Sequence, residues 1–168
     1  VKKDSKNSVL QFFLAEQYVA MDRLDDAEKI YKTVVADVAI PEGYLGLAIV
    51  YRQKNQPEDL LDNLALVLSK SKGRVAISSE LFTEMQAIGE NGKLLARLIA
   101  VGRDRLNDEK SNCGFECSYL LAKFATDAEN SEQAIEFLRF ALKARHDPPA
   151  VVSLELGAHL MEGVPELR

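Results

Sequence analysis

Side-chain volume recurs along this chain in a fixed register. Leu14, Ala15 and Tyr18 in "LAEQY" are matched 33 residues later by Leu47, Ala48 and Tyr51 in "LAIVY". The same offset sets Ala27 against Leu60, Tyr31 against Leu64 and Val34 against Val67. A further copy follows in "LLAKFA" and "SEQAIEFLRFAL": Leu121 and Ala122 take the first places, and Ala134, Leu138 and Ala141 the later ones. From Ala48 to Ala122 is 74 residues, two periods of 37, so a diverged copy is expected within 78–110. Leu156 and Gly157 renew the Leu-small pair, Gly157 lying 35 residues after Ala122. One such unit buries too little apolar surface to stand alone, whereas several stacked in order share a continuous core.

Within each copy the apolar residues fall three and four apart, and strand-like alternation is missing. This spacing predicts an all-α chain with helices over 8–21, 24–37, 42–54, 57–71, 78–89, 93–107, 115–128, 131–144 and 149–162. Asp22 is expected to cap the second helix. Gly92 in "ENG" is expected to supply a left-handed residue at a helix stop, and Pro41 and Pro148 to open the helices that follow them. Ala15 and Ala27 would let the two helices of a pair approach, with Tyr18 and Tyr31 filling the space between neighbouring pairs. The pair at 78–107 has apolar faces at Leu81, Phe82, Met85 and Ile88, then Leu94, Leu95, Leu98 and Ile99, but lacks the Leu-small-x2-Tyr core.

The pattern resembles the tetratricopeptide repeat, a helix–turn–helix unit with a period near 34 residues and the signature W-x2-L-G-x2-Y, A-x3-F, P. Tyr44-x2-Leu47-Ala48-x2-Tyr51 fits its first part, with tyrosine for tryptophan. Gln11-x2-Leu14-Ala15-x2-Tyr18 followed by Ala27-x3-Tyr31 fits nearly as well, and the copy at Leu121-Ala122 has Ala125 where the tyrosine belongs. The resemblance implies a right-handed superhelix of stacked antiparallel helix pairs. It forms one domain over 1–168, with pairs near 8–37, 42–71, 78–107 and 115–144 and a final helix at 149–162.

The resemblance also implies that the first helix of each pair lines a concave groove for a peptide. Its candidates are Phe12, Glu16 and Val19; Leu45, Ile49, Arg52 and Gln53; Tyr119, Lys123 and Asp127; and Leu154 and Ala158. Phe12, Leu45, Ile49 and Tyr119 would act as apolar anchors, with Arg52 and Lys123 pairing with acids of the ligand. The plainer alternative is that Phe12, Leu45 and Ile49 only pack against adjacent helices. Members that grip a chaperone's C-terminal carboxylate use a Lys/Asn/Arg set. The matching places here hold Phe12, Glu16 and Gly46, and Glu16 would repel a carboxylate.

Chemistry finds little purchase in the remaining residues. The net charge of −5 and pI near 5.2, with no Lys/Arg cluster, argue against nucleic-acid binding. Apolar runs are too short to span a membrane. No phosphate loop, serine elbow or paired metal-spaced histidines occur, so neither enzymatic activity nor a cofactor or metal is expected. Asp25 and Asp26 sit at a helix start, where the macrodipole favours them, and His146 and His159 read as structural. Cys113 and Cys117 read as small apolar side chains, because four-residue spacing inside one helix suits a disulfide poorly. A disulfide or redox pair, or a metal site sharing His146 or His159, are the alternatives.

The chain opens on Val1 and reads as an excised segment. "GVPELR" reads as a turn into a further helix, so the last helix either caps the array or exposes an apolar face. The compartment is not encoded, with the cytoplasm slightly favoured. Three functions fit: a scaffold binding a protein or peptide, self-association through the terminal helices, or a regulatory repeat of a larger enzyme.

Overall fold

The computed structural model describes residues 5–71, 78–108 and 113–162, which hold nine helices and no strand. They are α1 (Ser5–Ala20), α2 (Leu24–Asp37), α3 (Pro41–Gln53), α4 (Pro57–Lys70), α5 (Ser79–Gly89), α6 (Gly92–Asn107), α7 (Phe115–Asp127), α8 (Ser131–Ala144) and α9 (Ala150–Glu162). The chain divides into two compact units, Val1–Ala76 and Ile77–Arg168. In the first, α1 to α4 each pack on the next and α1 touches α3; in the second, α5 to α9 do the same and α5 touches α7. The periodicity therefore predicts the elements well, and each unit is a run of successive helix hairpins.

A repeated turn joins the two helices of three hairpins, α1–α2, α3–α4 and α7–α8. Tyr18, Tyr51 and Ala125 each accept, at the carbonyl oxygen, from the amide five residues on, in Arg23, Gln56 and Asn130. The residue just before each of those donors is left-handed: Asp22 at φ 59°, Asn55 at 56° and Glu129 at 55°. This corrects the role expected of Asp22. It ends α1 in the left-handed conformation that Asp tolerates better than most residues, while Arg23 precedes α2 without a side-chain cap.

Gly92 is corrected too: it is the first residue of α6, and Asn91 caps that helix by accepting from the Leu94 amide at 3.2 Å. This turn is one residue shorter than the others and has no left-handed residue in it. Pro41 and Pro57 open α3 and α4, where a missing N–H costs little. Pro148 lies just ahead of α9.

The small residues explain the close approaches. Ala15, Ala27, Ala48, Ala122 and Ala134 are fully buried. Tyr31 of α2 lies over Gly46 of α3, where an added Cβ would come within 2.4 Å of its ring. Tyr31 thus fills the gap between pairs as expected. Tyr18 differs, being half-buried with the Arg23 guanidinium 4.4 Å from its ring centre.

The α2–α3 junction is also tied by charge. Lys54 reaches both Asp25 and Glu28 at 2.6 Å, and the Tyr51 hydroxyl donates to Glu28 at 3.0 Å. In the second unit the glycine changes sides. A Cβ on Gly102 of α6 would meet the Leu121 side chain of α7 at 2.3 Å. Fully burying a leucine such as Leu60, Leu98 or Leu121 contributes about 2 kcal/mol over leaving it exposed.

The cysteines depart from expectation: Cys113 and Cys117 form a disulfide, with Cα atoms 5.2 Å apart. The spacing argument fails because the two do not share a helix. Gly114 is extended at φ −77°, ψ −160°, and α7 starts only at Phe115. Cys113 therefore lies outside α7 and bonds back onto its first turn.

Candidate functional site

First helices lie side by side in both units, α1 with α3 and α5 with α7. α9 joins the second set through three polar contacts to α7. Tyr119 donates to Glu155 at 3.0 Å, Lys123 meets the same carboxylate oxygen at 3.2 Å, and Thr126 pairs with His159 at 2.9 Å. Because the Thr126 hydroxyl already donates to the Ala122 carbonyl at 3.0 Å, it accepts from His159 Nε2–H, which sets the tautomer of that nearly buried ring.

The sequence-derived candidates divide accordingly. In the first unit Phe12, Val19, Leu45, Ile49 and Arg52 are half-buried, and Glu16 and Gln53 are exposed. Phe12 leans on Tyr31, ring centres 6.0 Å apart, and lies near Gly43, so it packs between helices. In the second unit Tyr119 is 3% exposed, stacked on Phe115 and hydrogen-bonded to Glu155. It cannot serve as a surface anchor; burial, then the Glu155 charge, pushes its phenol up. Lys123 is half-buried against Glu155, Asp127 is exposed, and Leu154 is 72% exposed on α9.

Lys123 and Asp127 are brought together, one turn apart on α7, along a cleft of about 510 Å³ facing α5. The opposite wall is Phe82, Met85, Gln86 and the α5 end at Gly89 and Glu90. Phe82 is 53% exposed, and no atom lies within 4 Å of a Cβ placed on Gly89, so the cleft is open there. Loss of water around Asp127 raises its carboxyl pKa, with Lys123 opposing. The signal for Phe82 and Met85 was present in the sequence as the apolar face of a helix without the small-residue core. Nothing there marked which side of that face stays open.

A second cleft of about 620 Å³ runs between α6 and the α7–α8 turn, lined by Leu95, Ile99, Arg103, Asp104 and Asn130. α1 carries an exposed apolar stripe of Val9, Leu10, Phe13 and Leu14, and α9 exposes Leu154, Leu160 and Met161. No described helix is long and apolar enough to cross a membrane. No protein-family model matches the chain, and no curated protein is similar enough to count as a relative.

Proposed function

We propose that the chain is a tetratricopeptide-like scaffold that binds a partner's peptide segment along the first helices of its hairpins. The observation that carries this reading is the α5–α7 cleft: its volume falls within the range of small-ligand sites, and it offers an exposed aromatic ring beside polar groups. Selection of a displayed random dodecapeptide library on the immobilised chain tests it. Peptides should be enriched on the wild type and lost on Phe82→Asp, with circular dichroism still helical. Enrichment that survives Phe82→Asp, or none at all, overturns the reading.

A second reading, self-association, is favoured by the apolar stripe of α1. Sedimentation across a concentration series tests it: Phe13→Asp should abolish any dimer, and a wild-type monomer at high concentration rules it out.

A further inference from the structure

The α5–α7 cleft is uneven in charge along its length. Its cation, Lys123, is held by Glu155 at 3.2 Å and also acts on Asp127, so one cation stands against the three carboxylates of Glu155, Glu90 and Asp127. Two of these, Glu90 and Asp127, are exposed. Both stand where a helix ends, Glu90 as the C-cap of α5 and Asp127 as the last residue of α7. A helix C-terminus carries roughly half a negative charge from its unpaired carbonyls. Two carboxylates and two dipole ends therefore converge on one cleft, and the partly desolvated surroundings of Asp127 strengthen the field there. Phe82 lies eight residues before Glu90, so the apolar wall begins about 12 Å from the acidic end along α5.

From this arrangement we infer that the cleft selects a cationic peptide, one whose lysine or arginine meets Glu90 and Asp127 while an apolar side chain covers Phe82 and Met85. In an extended ligand at about 3.3 Å per residue, the two anchors are roughly three or four residues apart. This assigns Asp127 a cation-binding role and leaves Lys123 as a positioning residue that links α7 to α9, not a reader of ligand acids. The inference rests on the docking reading above and names its partner's chemistry.

The library selection described above also tests it, run on the full chain, on the Glu90→Gln/Asp127→Asn double variant and on Phe82→Asp. The wild type should enrich peptides with a basic and an apolar residue at that spacing. Fluorescence polarisation of the most enriched peptide should show about tenfold weaker binding to the double variant. Raising salt should narrow that gap. Enriched sequences that are neutral or acidic, or equal affinity for the double variant, would sink the cation assignment. If such peptides are still lost on Phe82→Asp, the docking cleft itself stands. If the wild type enriches nothing, both fall together.

Discussion

The two units solve the same packing problem in opposite ways. In the first, a rigid ring on the second helix of a pair, Tyr31, drops onto a glycine of the next pair, Gly46, and a charged knot at Lys54 ties the junction. In the second, the glycine lies on α6 and the bulk, Leu121, on α7. α5 and α6, the pair without the small-residue core, pack on one another far more loosely than α7 packs on α8. That looseness leaves Phe82 exposed and the α5–α7 cleft open. Departure from the repeat and the candidate site thus coincide: filling is regular where the volumes alternate and incomplete where they do not.

The glycine substitutions should separate the units most. Gly46→Ala puts a methyl group into the Tyr31 ring, which cannot bend away, and should cost about 2–3 kcal/mol in urea unfolding followed by circular dichroism. Both glycines lie inside helices and gain the same helix propensity of about 0.5–1 kcal/mol, but Gly102→Ala meets a leucine that can rotate, so its net cost should be smaller. Equal costs would break the contrast.

Next in size is the disulfide. Closing a five-residue loop is worth about 2 kcal/mol in the chain-entropy account, so Cys113→Ser/Cys117→Ser should weaken the second unit by that order and leave the first unchanged. Amide exchange by NMR reads both units at once. Thr126→Val removes the acceptor for His159 and should cost about 1 kcal/mol, visible as faster exchange in α9 than in α8.

The smallest effect is a difference in acid response. Burial pushes the Glu28 carboxyl up, but hydrogen bonds from Lys32, Lys54 and Tyr51 outweigh it and hold the group at about 2, against an ordinary 4.5. The folded form thus takes up this proton later than the unfolded chain. The stabilisation is complete above about pH 4.5 and is lost as the pH falls towards about 2. Asp127 has the opposite sign: its carboxyl is raised, so protonation relieves the fold as the pH drops. Amide signals of α2 should therefore fade at higher pH than those of α7 during acid titration, and the reverse order would refute this account. Lys54→Met should narrow the difference.

The helices were legible because burial imposes a period on the sequence, and the repeated hairpin turn fixed their limits to within three residues. Side-chain fates were less so. Tyr119 and Lys123 sit at positions that a groove would use, yet Glu155 lies 36 and 32 residues further on, and no local pattern announces that it captures both. The disulfide was hidden by an assumption about the helix start, since Gly114 places Cys113 outside α7. Phe82 was legible as apolar, but its exposure depends on how loosely α5 packs, which is a property of neighbours and not of the stretch itself.

The stacked pair Phe115–Tyr119 has a practical consequence. The chain has no tryptophan, and Tyr119 is the second unit's only tyrosine, the other four falling in the first. Its ring lies nearly parallel to Phe115, at 3° and 6.0 Å, and its hydroxyl is held by Glu155. One native chromophore therefore watches the start of α7 and the seat of α9 together. Replacing the other four tyrosines with phenylalanine would turn ultraviolet spectroscopy into a label-free gauge of that half of the molecule.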